Sequence, residues 1–155
     1  TDDRRFELVT FAAAHALKNS GCTLVHGKEL ASFIGEDAVL AIANGREADV
    51  LPDIDVTIVR FARQIAKDAT KVTSGIVDRL KYRHDLTDAE VFDIAALAAG
   101  RAFFAKLLDG LGVQVDSTWK VLDEKFRESL TVGRPMDLRG PERLPAENAV
   151  RVIAR

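Results

Sequence analysis

Residues 86–110 read LTDAEVFDIAALAAGRAFFAKLLDG, and this stretch decides the fold. Thr87 and Glu90 stand three apart ahead of an apolar run, the pattern of a capping box. The Thr87 hydroxyl accepts from the backbone N–H of Glu90, and the Glu90 carboxylate reaches back to the N–H of Thr87. Leu86 and Val91 supply the hydrophobic staple. No proline interrupts residues 88–110, so one long helix is expected, ending near Gly110. Its middle, residues 94–99, is apolar on every side. Such a helix is either central in its domain or buried between subunits. The apolar window 94–108 is too short to span a membrane and carries Arg101 and Lys106.

Helical signals continue on both sides. Residues 4–18 place Phe6, Val9, Ala13, Ala16 and Leu17 on one stripe. Asn19-Ser20-Gly21 ends that helix, and Asn19 or Ser20 caps the next, expected over 22–34 and stopped by Gly35. A short helix over 37–44 precedes Gly45 as its C-cap. Pro52 and Asp53 open another, in which Ile54, Ile58, Phe61, Ala62 and Ile65 share a face. A further short helix covers 74–82. Asp116 is expected to cap a last helix carrying Trp119, Leu122 and Phe126. Valine and isoleucine fall at helical spacings, not in alternating runs, so no strand is expected. The fold class is all-α, with a helical domain over 1–132. Pro135, Pro141 and Pro145 break up residues 133–155, which read as an extended arm lying over the surface or over a neighbouring subunit.

Composition limits the function. A chain of 155 residues with 47% apolar and 30% charged side chains suits one domain with a real core. Lys and Arg number 22 and Asp and Glu 24, a net charge of −2. That balance gives no electrostatic footprint for nucleic acid or an anionic membrane, and neither partner is expected. A single cysteine excludes an internal disulfide, a four-cysteine zinc site and a CxxC redox pair within the chain. No signal segment, repeat or low-complexity stretch is visible, and a cytoplasmic protein is expected. No P-loop, GxGxxG or GxSxG occurs, and no cofactor is expected.

One constellation can carry chemistry. Cys22 and His26 are four apart at the start of a helix, on one face and within contact reach. The helix N-terminus and a neighbouring imidazolium both favour thiolate there. Glu7 lies about fifteen residues upstream of Cys22 on the preceding helix. It orients the imidazole only if the helical hairpin brings its turn to the Cys22 end. The plain alternative is a packed, inert cysteine with a hydrogen-bonded core histidine. His15 either faces the same interior as Cys22 or is structural, and His84 suits a helix end. Phe103 and Phe104 read as core or interface before they read as a ligand pocket. Lys18 and Lys28 read as solvated charge. Cys22, His26 and Glu7 could in principle ligate a metal, but zinc usually takes several Cys and His, and no metal is expected.

The run from Ser20 to Gly27, SGCTLVHG, preceded by Glu7, resembles the active-site region of the carboxymuconolactone decarboxylase and alkylhydroperoxidase D-like superfamily. The blocks LTDAEV at 86–91 and FFAKLLDGLGV at 103–113 follow in the superfamily's order, and the likeness covers about residues 6–136. The resemblance implies an all-helical fold assembled as trimers or hexamers, sometimes dimers. It also implies redox chemistry in which a cysteine attacks peroxide, a second cysteine resolves it as a disulfide, and Glu and His relay protons. Cys22 matches the attacking cysteine, His26 the histidine and Glu7 the carboxylate. Asn19 stands where the resolving cysteine would be, Gly21 where some members have a second histidine, and Ala105 where many have an asparagine.

Without a second thiol, a sulfenate at Cys22 needs an external thiol, a protein reductant or another subunit's cysteine. The first expectation is therefore a single-cysteine alkylhydroperoxidase-like enzyme acting on a small hydroperoxide. The second is acid–base chemistry on a small organic acid or lactone, with His26 as base, Glu7 as its partner and Cys22 as lining. The third is a non-catalytic, divergent helical oligomer. A homo-oligomer is expected in all three, with the apolar helix and the proline-containing arm as interface elements.

Overall fold

A computed structural model of the chain describes residues 2–115 and 117–136. Seven α-helices occur among them: α1 Asp3–Ala16, α2 Ser20–Ile34, α3 Glu36–Ala43, α4 Asp53–Asp68, α5 Ser74–Asp78, α6 Asp88–Gly110 and α7 Glu124–Leu130. The described residues form no strand, only an isolated bridge between Val115 and Met136. The fold is all-α. The described helices include none long and apolar enough to cross a membrane.

Local chemistry sets the boundaries. Asp2 caps α1 by accepting from the N–H of Arg5. Asn19 caps α2 by accepting from the N–H of Cys22 at 2.8 Å. Gly35 and Gly45 turn the chain at φ 84° and 74°, where a side chain would be strained. Thr87 and Glu90 make the complete capping box at the head of α6, and the staple residues Leu86 and Val91 are both buried.

Packing makes α1 the centre. Leu8, Val9, Phe11, Ala12, Ala13 and Ala14 are fully buried, so successive residues all round the helix are covered. It packs against α2, α4 and α6. The small residues in Phe11-Ala12-Ala13-Ala14 let those neighbours approach closely. Gly27 does the same from α2: a Cβ there would stand 2.5 Å from Leu130 of α7 and 3.1 Å from Phe11.

Of the two places the sequence leaves open for the apolar segment of α6, it does not take the central one in this chain. Ile94 and Ala98 face the core, but Phe92 is 70% exposed and Phe103 62% exposed, with Phe104 and Leu107 also outside. No single helix runs on from position 116. A tight turn over Ser117–Val121 is followed by a break, and Asp123 caps α7 by accepting from the N–H of Phe126. Thr118 and Val121 are β-branched, Trp119 is bulky, and Asp123 offers a second cap, all of which disfavour one long helix. Asp116 itself lies outside the described residues. The helix from Ser74 stops at Asp78 and widens into a π turn over Arg79–Arg83, where Arg79 and Arg83 both pair with Asp53.

The proposed arm is described only as far as Met136. Gly133 donates its N–H to Ser20 Oγ at 2.9 Å, and Arg134 donates to the Asp109 carbonyl at 2.6 Å. This segment therefore lies over the α1–α2 turn and the end of α6. The rest of the arm, with Pro141 and Pro145, lies outside the described residues.

Candidate active site

The α1–α2 hairpin decides whether the upstream carboxylate reaches the histidine. Glu7 sits in the second turn of α1 and His26 in the second turn of α2. His26 Nδ1 lies 2.7 Å from Glu7 Oε2, and both side chains are nearly closed off from solvent. The condition left open by the sequence is thus met.

Protonation follows from the surroundings. Burial pushes the His26 imidazole below its ordinary value, the Glu7 hydrogen bond pulls it back up, and the positive charge of Arg101 pushes it down again. The net direction is down, so the ring is neutral near pH 7. A carboxylate only accepts, so Nδ1–H donates to Glu7 and Nε2 carries the free lone pair.

Cys22 is buried in the first turn of α2, with its N–H held by Asn19. Its sulfur meets α6. Arg101 Nη1 donates to Sγ at 3.6 Å. Asn19 ties the same helices together by donating from Nδ2 to the Ala105 carbonyl at 3.3 Å. The position that would hold a resolving thiol is therefore a cap and a tether. Arg101 entered the sequence reading only as a charge interrupting an apolar window. The signal that could have found it was its place as a lone cation within the apolar stretch 94–105.

Beside this group a cavity of about 480 Å³ opens between α1 and α6, with Phe6, Leu97, Arg101 and Phe104 in its wall. Cys22 and His26 do not line it. Two lining residues connect it to them: Arg101 by its contact with Sγ, and Phe6, whose ring stands edge-on to the His26 ring at 6.2 Å. Phe104, read from sequence as core or interface, is a cavity residue.

The other histidines stand apart. His15 does not join Cys22. It packs beside Phe11 and lines a separate cavity with Lys18, Arg63 and Lys67. His84 Nε2 lies 3.1 Å from Thr57 Oγ1, and Asp53 is close by, a structural tie at the end of the π turn. Among the described residues no three His, Cys, Asp or Glu side chains are gathered to hold a metal.

Burial, with Arg63 and Lys67 adding to it, pushes His15 down to about 4. Its folded value lies below the unfolded value of about 6.5, so the unfolded chain binds the proton first. The associated stability is present above pH 6.5 and is lost as pH falls towards 4. His26 contributes in the same direction. The full His15 shift corresponds to about 3 kcal/mol, which partial solvent contact reduces to about 1–2 kcal/mol. Urea unfolding at pH 7.5 and pH 4.5 reads this. The loss on acidification should be smaller by about 1–2 kcal/mol in His15→Gln than in the wild type.

No known family model, curated protein or solved structure matches this chain.

Proposed function

We propose that the protein is a thiol-dependent peroxidase in which Cys22 attacks a hydroperoxide. The observation that carries this reading is the convergence of α1, α2 and α6 on one corner. There a neutral imidazole is oriented by Glu7, and a permanent cation, Arg101, stands against the Cys22 sulfur. The resemblance of residues 20–27, 86–91 and 103–113 to the alkylhydroperoxidase D-like superfamily supports the same roles.

The Cys22 proton passes to His26 Nε2, directly or through water. The sulfur lone pair attacks the terminal peroxide oxygen, forming the S–O bond and breaking O–O, which expels the alkoxide. The leaving alkoxide takes the proton from the imidazolium and departs as an alcohol. The thiol is oxidised to sulfenic acid and the hydroperoxide is reduced. Arg101 sets positive charge where the thiolate and the departing oxygen carry negative charge. Two equivalents of an external thiol then restore the cysteine, releasing water and one external disulfide.

Dimedone labelling after one equivalent of hydrogen peroxide tests the first step. A sulfenate adduct should form at Cys22, and Arg101→Gln should slow its formation by at least about tenfold. A thiol that persists unmodified under peroxide overturns the reading.

A second reading is favoured by one observation: the Glu7–His26 pair is complete without Cys22. On that reading His26 acts as a base on a small organic acid or lactone, and Cys22 is packing.

Self-association belongs to the same proposal. The exposed stripe Phe92, Ala96, Ala99, Phe103, Leu107 on α6 is the surface through which one copy meets another. The second copy covers the open side of the cavity.

A further inference from the structure

The partly buried arginines of this chain obey a simple rule. Arg4 pairs with Asp55, Arg5 with Glu90 and Arg63 with Glu47. Arg101 breaks it. Its Nε, like that of Arg79, is shut off from solvent and has no hydrogen-bond partner, but Arg79 has Asp53 and Arg101 has no such pairing. Among the described residues no carboxylate forms an ion pair with it; its one hydrogen bond goes to the sulfur of Cys22. Its guanidinium leans on the Phe104 ring, 5.9 Å from the centroid. A guanidinium has five N–H donors in a planar fork, and a partly buried one is best held when an anion or several acceptors meet it. Arg101 is also a wall of the cavity between α1 and α6, where Phe6, Leu97 and Phe104 are apolar and Thr10 and the carboxylate of Asp93 are the other polar side chains. A largely apolar cavity whose one cation is under-satisfied is complementary to a ligand with a hydrocarbon body and one negative head, set at that cation and away from Asp93, eight residues back along α6.

We propose that this cavity binds a small amphiphilic carboxylate, with the carboxylate on Arg101 and the hydrocarbon along Phe6, Leu97 and Phe104. The geometry of binding stands on the cavity and on Arg101. Only the further step, that the hydroperoxide substrate is itself such an acid, rests on the proposed peroxidase reading.

Calorimetry with octanoate and its uncharged isostere octanol, on the full chain carrying Cys22→Ser, separates the two questions, because no peroxide chemistry occurs in that variant. Octanoate should bind at least about tenfold tighter than octanol. Arg101→Gln in the same background should bring the two affinities together, chiefly by weakening octanoate. A second measurement does not depend on that variant folding: octanoate, and not octanol, should slow phenylglyoxal modification of Arg101 in the wild type, read by mass spectrometry. Equal affinities for the two probes, a preference that survives Arg101→Gln, or no protection of Arg101 overturns the proposal. A Cys22→Ser chain that prefers octanoate while the wild type fails to reduce hydroperoxides removes the peroxidase reading and leaves the binding site standing.

Discussion

Cys22→Ser should abolish hydroperoxide reduction, leaving turnover at the uncatalysed background with the helical circular dichroism unchanged. The serine hydroxyl keeps the shape of the first turn of α2, and its backbone N–H still meets Asn19. It has no accessible anion near neutral pH and no sulfur to oxidise, so the S–O bond-forming step is lost outright. The two relay residues fall differently. His26→Gln and Glu7→Gln leave the nucleophile in place, and each should lower the rate by about a hundredfold or more, the usual contribution of a positioned base. Their effects should be far from additive, because Glu7 acts through the imidazole it holds at 2.7 Å. The double variant is expected to be little worse than His26→Gln alone. A coupled assay with a dithiol reductant reads all four proteins. Full activity in Cys22→Ser on a lactone or organic acid, with loss in His26→Gln, would instead establish the acid–base reading.

The sequence exposes this site unevenly, for physical reasons. Cys22 and His26 are legible because i, i+4 spacing is a property of one helix. The Asn19 cap and the capping box of Thr87 and Glu90 are legible for the same reason: each is completed within one turn. Glu7 is legible only as a candidate, since its approach to His26 depends on how α1 crosses α2. That crossing is set by Gly27, Phe11 and Leu130, residues from three helices. Arg101 is not legible as a partner of Cys22, because 79 positions separate them and no local pattern links them. The centre of the fold is left open by the sequence for a related reason. Both α1 and α6 carry alanine-rich apolar runs, and periodicity alone does not say which one is surrounded. The structure surrounds α1 and leaves one side of α6 bare.

That bare side yields the second large effect. Wild-type protein should sediment as a multiple of its 17.0 kDa chain mass, and Phe103→Glu with Leu107→Glu should sediment as a single chain. Phe92, Ala96, Ala99, Phe103 and Leu107 recur along one face of α6 at steps of three and four. Laid antiparallel on its own copy about the Ala99–Gly100 midpoint, the face sets Phe92 against Leu107 and Phe103 against Ala96. Phe92 then packs on Leu107 at each end, Phe103 meets the small Ala96, and the alanines and glycine at the crossing let the backbones approach. The same register sets Asp93 against Lys106. A two-fold contact of this kind is isologous, so it builds a dimer or a hexamer made of three dimers, not a lone trimer. Covering a large apolar side chain contributes about 1.5–3 kcal/mol, so the six large side chains from two copies contribute on the order of 10 kcal/mol before the cost of association. Two glutamates per copy remove four of those six and bury like charges near one another, which exceeds what the remainder can hold. Wild-type protein that stays at 17.0 kDa at every concentration, or a double variant that keeps the wild-type mass, would exclude this face as the contact between copies.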